Sequence, residues 1–540
     1  MKLKLISILS IALLFSSCSS WIDSSMNTSP NNPTDVPVTL LVAPIEANLA
    51  YVVGGDLART NCIWMQQIAG IASQPFDLDV YNISESDVNN SWSYNLYTPG
   101  MYNTKILMAK AVTQTSPYYA AIAKILMAYQ LGVTTDLWGD IPYSNALNGA
   151  NGQTKSTYDK QQAIYLSCLS DLAWAVNHFN ATSTTQFSFG SAEFLFGPGN
   201  NIDKWKAFAN SLRLRYALTM YDKDNADAAP IIADALTKPL LTDPVADVVG
   251  LSQANVPDIS FDIDGAGRGF FFRQESRARM GSTLWNLFSS NNNNDGSGIF
   301  DLRCKIFFEV NGNGNWVPYP QNPVTPISDG GDPYKTDRDA DWTVDKVNNL
   351  YSDYNYYWGR DGNISGSTGA CPEIFMSAAE TYFLKAEAYA RGAGVAQNSA
   401  LAKTAYEAGV TASLTFWKNM AFNSSVWVVN KPASATPTSD EINAVLTNPK
   451  VAWDANNALS LIYAQEWIDL FRQPWVAWAL LRRTGGATPM DPSNPAGYTQ
   501  NYGSLQRYQY PGDEQALNNA NWKAATGGND LTSTKIWITK

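Results

Sequence analysis

Apolar residues recur at helical spacing in paired stretches of this chain, and that periodicity constrains the fold more than any other feature. Residues 100–131 carry it on both sides of a break at Ser116 and Pro117, which predicts two helices in a hairpin. The same pattern fills residues 158–179, 203–221, 376–391, 398–415 and 457–483. The chain therefore predicts a mainly α fold built from tetratricopeptide-type helical hairpins with an irregular period.

Local signals predict where several of these helices begin, turn or break. Asp203 can cap the start of the helix that follows it. Gly392 and Gly394 are expected to close the hairpin formed by the stretches on either side of them. Pro474 should interrupt the last long helix, because proline lacks the backbone donor that an inner helical turn needs.

Between the two helical regions the chain becomes loop-rich, with segments such as "FDIDGAGRGF", "SSNNNNDGSG" and "SDGGDPYKTDRDAD". A chain of 540 residues exceeds what one core usually supports, so a second lobe is expected. We predict a helical scaffold over about 38–250 and 371–540, which carries a loop-rich lobe with minor β structure over about 251–370. Binding surfaces are commonly built from such loops.

The amino terminus is typical of an export signal. Lys2 and Lys4 precede an apolar run over residues 5–15, which is too short to cross a membrane because a spanning helix needs about 20 residues. Cys18 follows "LFSS", a pattern that resembles a bacterial lipobox, so residues 1–17 are predicted to be a lipoprotein signal peptide and Cys18 the acylated first residue. An ordinary signal peptide cleaved elsewhere is the alternative.

The polar, proline-containing residues 18–37 would then form a flexible tether between the lipid and the body. No later run approaches spanning length by inspection, so residues 38–540 are expected to be a soluble body held at the membrane.

Charge and cysteine usage exclude several kinds of site. The formal net charge of −11 argues against nucleic acid, because binding a polyanion requires a surface rich in lysine and arginine. The remaining cysteines and the one histidine have no metal-ligand spacing, so no zinc site is predicted and buried free thiols are expected. These cysteines are Cys62, Cys168, Cys304 and Cys371.

Charged pairs on the predicted helices have a catalytic and a structural interpretation. Asp136 and Asp140 in "DLWGDIPY" lie four residues apart, and two carboxyl groups at glycosidase separation could serve acid–base chemistry. The structural interpretation, in which the motif forms a turn packed on the helix pair, is favoured. Arginines at 213, 215, 482 and 483 are expected to form buried ion pairs with Glu380, Glu387 or Glu466 rather than anion sites.

Two acidic loops, "DIDG" at 262–265 and "NNNNDGSG" at 291–298, carry the oxygen ligands that Ca²⁺ uses. Neither has the closing glutamate of an EF-hand, so solvated turns are favoured over calcium binding. The glycine cluster "GAGRG" has no strand-to-helix context for phosphate binding. The sequence therefore predicts no cofactor.

Five segments resemble the motifs of the SusD/RagB family in family order: "DLWGDIPYSNAL" at 136–147, "DKWKAFANSLRLRYAL" at 203–218, "MSAAETYFLKAEAYARG" at 376–392, "LIYAQEWIDLFRQPWVAWALLRRTG" at 461–485, and "RYQYPGDEQALNNANWKAA" at 507–525 with "IWIT" at 536–539. Each is weak by itself, but together with the lipobox they are specific. The group resembled is the SusD-like one with a carboxyl-terminal Arg-Arg-Thr-Gly motif.

The resemblance implies a lipoprotein anchored in the outer membrane and facing the exterior, which captures a glycan and delivers it to a SusC-like, TonB-dependent outer-membrane barrel without catalysis. A peptide cargo is the main alternative within the family. A secreted glycan-active enzyme and a tetratricopeptide scaffold for protein partners are alternatives outside it. One departure is that a single acid, Asp23, follows Cys18, where surface-exported members often carry an acidic run.

Sugar binding needs aromatic faces beside polar groups, and aromatic residues in loops are the natural candidates. The segment 352–363 offers Tyr354, Tyr356, Tyr357, Trp358 and Arg360, and "NGNGNWVPY" adds Trp316 and Tyr319. Phe76, Asp77, Tyr81 and Trp92 lie where members of the resembled family often place binding residues. Trp92 and Tyr94 are expected to be structural, because a similar pair enters the first helix in that family.

Overall fold

The computed structural model describes residues 36–179, 193–197, 201–251, 278–321, 323, 325–329, 350–355, 372–424, 427, 430–489 and 505–540. Several residues singled out from the sequence lie outside these ranges: Cys18, Tyr356, Tyr357, Trp358, Arg360, Cys371 and the "DIDG" loop.

The α-helices are α1 (Val42–Val52), α2 (Ala58–Trp64), α3 (Ser73–Asp79), α4 (Tyr102–Thr113), α5 (Pro117–Trp138), α6 (Gln161–His178), α7 (Ile202–Met220), α8 (Asn225–Ala235), α9 (Ser282–Phe288), α10 (Arg303–Phe307), α11 (Ala378–Arg391), α12 (Ser399–Asn423), α13 (Ser439–Leu446), α14 (Ala458–Asp469), α15 (Pro474–Arg483), α16 (Gly512–Leu517) and α17 (Asn519–Thr526). Two π-helical segments, Val53–Leu57 and Ser91–Met101, precede α2 and α4. Short 3₁₀ turns lie at Val38–Leu40, Glu85–Asp87, Gly149–Asn151, Ala455–Asn457 and Leu470–Arg472.

The strands are short: β1 (Ala69–Gly70), β2 (Ile141–Pro142), β3 (Tyr158–Asp159), β4 (Val249–Leu251), β5 (Ala278–Arg279), β6 (Phe308–Glu309), β7 (Asp353–Tyr354) and β8 (Glu373–Met376). They form the antiparallel pairs β1–β5, β2–β3, β4–β8 and β6–β7. The prediction of a mainly helical protein with minor β structure is confirmed.

Helices α4 to α8 pack in succession, each against the next along the chain. The break at Ser116 is where predicted, and Pro117 is the first residue of α5, a position at which the missing backbone donor costs nothing. The predicted cap at Asp203 is wrong, because α7 begins one residue earlier, at Ile202. Asp203 instead lies in the first helical turn, where its negative charge still suits the helix dipole.

A second set of helices completes the scaffold. The side chain of Ser377 caps α11, and Gly392 ends it in the left-handed conformation that glycine adopts readily. Helix α11 packs against α12 and α14, and it also contacts α7, so it joins the early and late parts of the chain. The predicted break at Pro474 is confirmed, since a 3₁₀ turn separates α14 from α15 there.

One helical stretch of the described residues, Val38–Trp64, is long and apolar enough to cross a membrane by length and composition. The expectation that no run past the leader approaches spanning length is therefore wrong. More than half of the tested stretch is buried inside the protein, where Ile45, Leu49 and Ile63 belong to the main core. Such burial is typical of a core helix, whose apolar faces are covered by neighbouring helices.

The described residues between 278 and 355 form a compact set of strands and turns that pairs with the early chain. Ala69 of β1 lies opposite Arg279 of β5, and Phe308 of β6 lies opposite Tyr354 of β7. The backbone N–H of Met280 donates to the carbonyl of Ser352 at 2.9 Å, which joins the two strand pairs. The predicted lobe over 251–370 therefore includes residues that are anchored to the segment around β1, and its limits stay a prediction.

Candidate functional site

The two aspartates of "DLWGDIPY" have separate structural partners. Asp136 is buried on α5 and accepts a hydrogen bond from the hydroxyl of Tyr165, and burial raises the pKa of its carboxyl to about 6. Asp140 accepts from the backbone N–H of Gln161 at 3.0 Å and from Lys160 Nζ at 2.7 Å, so it caps the start of α6. Because Asp136 is held inside the helix layer and Asp140 at a helix end, the geometry supports the structural interpretation of this pair.

Two of the four motif arginines, Arg215 and Arg483, form the expected buried ion pairs. The expectation is wrong for the other two, because Arg213 meets the partly exposed Asp234 and Arg482 donates to the backbone carbonyls of Trp478 and Gln506. Arg215 meets Glu380 with nitrogen–oxygen distances of 2.5 and 2.6 Å, and Arg483 meets Glu387 with both distances at 2.8 Å. These pairs join α7 to α11 and α15 to α11. Their guanidinium groups are occupied by carboxylates inside the protein and serve the fold rather than an anion.

Helix α3 carries Phe76 and Asp77, and both of these residues are half-buried. Helix α3 follows directly from a small apolar cluster that contains Ala69, Ile71 and Tyr319, against which the half-buried Tyr351 packs. The rings of Tyr319 and Tyr351 meet edge to face, with centroids 4.9 Å apart. We call the half-buried residues Phe76, Asp77 and Tyr351 the α3 surface.

A hydrogen bond fixes α3 against the predicted lobe. Asp79 is fully buried, and its Oδ1 accepts from Gln321 Nε2 at 3.1 Å. Gln321 lies close to Gly281, next to β5, where a Cβ atom would clash with the Gln321 side chain. The lobe segment therefore holds the helix that carries Phe76 and Asp77 in one position.

Three of the predicted sugar-binding aromatics are buried and do not present a ring face to solvent. The hydroxyl of Tyr81 donates to the carbonyl of Trp64 at 3.0 Å, and Trp316 stacks on Trp285 at an interplanar angle of 7°. Tyr354 is fully buried in the β6–β7 pair. In this structure Tyr81, Trp316 and Tyr354 pack the interior, and each contacts a residue from another segment of the chain.

The structural role predicted for Trp92 and Tyr94 fits only one of the two residues. Trp92 is buried against Tyr97 and Trp138, as expected for a structural residue. Tyr94 is 72% exposed, so the structural role predicted for it is wrong. Tyr356, Tyr357, Trp358 and Arg360 lie outside the described residues, and their ligand contacts stay a prediction.

The asparagine-rich turn at 291–298 is held by its own side chains. Asn291 Oδ1 accepts from the backbone N–H of Asn293 at 2.9 Å, and Asp295 Oδ1 accepts from that of Ser297 at 2.9 Å. Across the described ranges, no group of three potential metal ligands among His, Cys, Asp and Glu lies together. Cys62, Cys168 and Cys304 are buried free thiols, which confirms the expectation for these three.

Sequence reasoning missed two features that only folding brings together. Tyr351 lies one residue before the aromatic segment that was singled out, and its contact with Tyr319 could not be seen from spacing. A pocket beside Tyr97 is lined by residues from 92–98, 142–156 and 513–518, which are far apart in the chain. For the pocket, the run of polar and aromatic residues at 93–98 is the one signal that the sequence carries.

Comparison with known proteins supports the resemblance. Residues 30–511 match the SusD-like family described as "Starch-binding associating with outer membrane". Among curated proteins, no sequence matches the chain. Among solved structures, a chitin-binding protein is 21% identical with a TM-score of 0.68, and the alignment covers 93% of this chain and 100% of that one.

Two further structures are similar over comparable lengths. A SusD/RagB family protein from Bacteroides thetaiotaomicron is 19% identical with a TM-score of 0.68, covering 93% of this chain and 99% of that one. A SusD homologue from Bacteroides fragilis is 18% identical with a TM-score of 0.68, covering 92% and 100%. At these identities the structures establish the shared fold, and the family match over residues 30–511 establishes membership: this chain belongs to the SusD-like family of starch-binding proteins that associate with the outer membrane.

Proposed function

We propose that this protein is a cell-surface lipoprotein that captures a glycan and delivers it to a SusC-like, TonB-dependent barrel in the outer membrane. The observation that carries the proposal is the family match over residues 30–511, which spans nearly the whole body. The structural similarity to a chitin-binding protein agrees with a carbohydrate ligand.

The α3 surface supplies the chemistry that glycan capture needs. Phe76 and Tyr351 offer apolar ring surface, on which the C–H face of a pyranose can stack, and Asp77 offers a carboxylate acceptor for hydroxyl groups. The hydrogen bond between Asp79 and Gln321 helps to position α3, and a preformed site loses less conformational entropy on binding. Tyr356, Tyr357, Trp358 and Arg360 are proposed to complete it.

The proposed role is capture without catalysis. The carboxylate pair that an enzyme interpretation would use, Asp136 and Asp140, is committed to Tyr165 and to the start of α6. Peptide capture is the alternative within the family, since aromatic rings beside a carboxylate also suit a peptide. Anchoring through Cys18 would place the body at the membrane surface next to its barrel.

The test is a broad array of glycans and peptides, on which binding and turnover are scored together for the wild-type protein and for Phe76→Ala and Tyr351→Ala. We expect binding to one glycan class without products, weakened about tenfold in either variant, which corresponds to about 1.4 kcal/mol. Tyr102→Ala, which removes a 42% exposed aromatic from the scaffold helix α4, is the matched control and should bind as wild type.

Released products would favour the enzyme, and binding to peptides without glycans would favour the alternative cargo. Thermal unfolding of each variant separates a lost contact from a lost fold, because Phe76 and Tyr351 are half-buried. Delivery is tested separately by cross-linking in intact outer membranes, where a TonB-dependent barrel should be recovered with the protein. Recovery of the protein without any barrel would contradict the transport role.

A further inference from the structure

A pocket of about 270 Å³ lies in the scaffold, between the π-helical segment Ser91–Met101, the residues between β2 and β3, and α16. Tyr97, Thr98, Thr154, Asp513 and Glu514 are among the residues that line it. We call it the Tyr97 pocket. It shares no lining residue with the α3 surface.

One wall of the pocket is a fixed aromatic ring. The hydroxyl of Tyr97 donates to the carbonyl of Pro142 at 2.7 Å, and its ring packs against that of Trp92 with centroids 4.8 Å apart. Tyr97 is half-buried, so part of its ring remains open to the pocket. A ring held at both its hydroxyl and its face is a preformed platform for the apolar side of a sugar.

Polar side chains line the same pocket as that ring. Within the described residues, the side chains of Thr98, Thr154 and Asp513 make no hydrogen bond, although all three line the pocket. Glu514 is held in place, since its Oε2 accepts from Tyr158 Oη at 2.5 Å and from Asn518 Nδ2 at 3.1 Å. Ser93 and Ser156 also line the pocket, which thus presents four hydroxyl groups and two carboxylates together with one ring, the complement of a polyhydroxylated ligand.

The loop that forms the opposite wall is strained. Leu147 lines the pocket and has a φ of +61°, a conformation that branched apolar residues rarely adopt. Lys105 Nζ holds the loop from behind by donating to the carbonyl of Leu147 at 3.0 Å and to Asn148 Oδ1 at 2.6 Å. Strain of this kind persists where surrounding contacts impose it, and it concentrates at ligand-binding sites.

The acidic lining of the pocket favours neutral sugars over acidic ones. Asp513 and Glu514 line it, and no lysine or arginine does among the described residues. An acidic sugar would therefore meet two lining carboxylates, while Lys105, behind the loop, is already engaged by the carbonyl of Leu147 and by Asn148. A neutral sugar ring meets no such repulsion, and its hydroxyl groups can donate to both carboxylates.

We propose that the Tyr97 pocket binds one neutral sugar unit, as a second carbohydrate site on the scaffold that is separate from the α3 surface. This inference rests on the proposed function for its class of ligand. It adds that the captured glycan is held at two places on the protein and that uronic-acid units are excluded from one of them.

The test uses the full-length protein in detergent with maltohexaose, chitohexaose and cellohexaose as neutral probes and hexagalacturonate as the acidic one. Binding is measured by saturation-transfer NMR and calorimetry. Thr98→Trp and Thr154→Trp place a bulky ring in the pocket from exposed positions, so neither should disturb the fold. Thr404→Trp, at an exposed position on α12, is the matched control.

We expect at least one neutral hexasaccharide to bind the wild type, each pocket variant to weaken that binding at least fivefold, and Thr404→Trp to leave it unchanged. Phe76→Ala should retain saturation transfer to the same sugar, and Phe76→Ala/Thr98→Trp should lose it. Hexagalacturonate should not compete in the Phe76→Ala protein.

The inference is overturned if Thr98→Trp and Thr154→Trp bind the neutral sugars as the wild type does, if Phe76→Ala abolishes binding by itself, or if no neutral hexasaccharide binds. The first two outcomes leave the proposed function intact, because the sugar is still captured at the α3 surface. Failure of the proposed function is a different result, in which the wild type binds no glycan on the broad array.

Discussion

Arg483 and Glu387 form a two-point ion pair in the interior, with Nη1 and Nη2 each 2.8 Å from a different carboxylate oxygen. Both side chains are buried, and Glu387 also accepts from Tyr463 and Arg391. Burial would raise the pKa of Glu387, but the guanidinium groups of Arg483 and Arg391 hold it below its ordinary value. The contact joins α15 to α11, so it connects the last long helix to the centre of the scaffold.

Replacing the planar guanidinium should therefore destabilise the fold even when the charge is kept. We expect Arg483→Lys to lower the free energy of unfolding by about 1–3 kcal/mol, because one ammonium group cannot make both hydrogen bonds. Arg213→Lys is the comparison, since Arg213 is also buried but its partner Asp234 is partly exposed, so we expect a smaller loss there than at Arg483. Urea unfolding measures both, and equal losses would show that two-point geometry does not matter here.

Asp136 should make stability depend on pH. Its pKa is about 6 in the folded protein, raised by burial, against 3.8 for an ordinary aspartate, so the folded state holds this proton over a range where the unfolded chain has lost it. The free energy of unfolding should then fall as pH rises from about 4 to about 6, by up to about 3 kcal/mol, and level off above that.

Asp136→Asn removes the titrating group and keeps an oxygen that can accept from Tyr165. We compare urea unfolding of the two proteins at pH 5 and pH 7. The free energy of unfolding of Asp136→Asn, relative to wild type, should be higher at pH 7 than at pH 5. Asp469, whose pKa burial also raises to about 6, is present in both proteins and cancels in the difference. If the difference in free energy of unfolding between the two proteins is the same at both pH values, Asp136 is not the source of the pH dependence.

Gly132 lies inside α5, where helix propensity by itself favours alanine by about 1 kcal/mol. The structure predicts the opposite effect, because a Cβ atom there would lie 2.1 Å from the hydroxyl oxygen of Tyr216. We expect Gly132→Ala to destabilise the protein by about 1–3 kcal/mol, as overpacking does. Gly149→Ala has open space around the new methyl group and should stay within about 0.5 kcal/mol of wild type. Thermal and urea unfolding of the two variants provide the comparison.

The predicted lipid anchor can be tested without reference to the fold. Radiolabelled palmitate supplied to cells should enter the wild-type chain and should not enter Cys18→Ala, because the thiol at that position is the proposed acyl acceptor. Cys62→Ala is the matched control, since Cys62 is a buried free thiol and should not affect labelling. Equal labelling of wild type and Cys18→Ala would exclude the anchor.

Helix positions in this protein were predictable because their causes are local. The break at Ser116 and Pro117, the end of α11 at Gly392 and the break at Pro474 each follow from the backbone chemistry of one or two residues. The expected buried ion pairs were confirmed for Arg215 and Arg483, since helices that carry opposite charges on apolar faces must pair them when they pack.

The candidate site was less predictable, because a ring's exposure depends on partners from elsewhere in the chain. All three buried candidates have such partners: Tyr81 donates to the carbonyl of Trp64, Trp316 stacks on Trp285, and Tyr354 lies opposite Phe308 in a strand pair. Tyr94 shows the reverse, since nothing in its own segment revealed that it would be left exposed.

The amino-acid sequence by itself determined the helical hairpins, the buried ion pairs of Arg215 and Arg483, and the family. Each of these depends on short-range spacing or on side-chain charge. The tertiary structure decided which aromatic residues reach solvent and brought Tyr97, Thr154 and Glu514 around one pocket. Those arrangements depend on contacts between segments hundreds of residues apart, and no local pattern encodes which long-range partner will cover a given side chain.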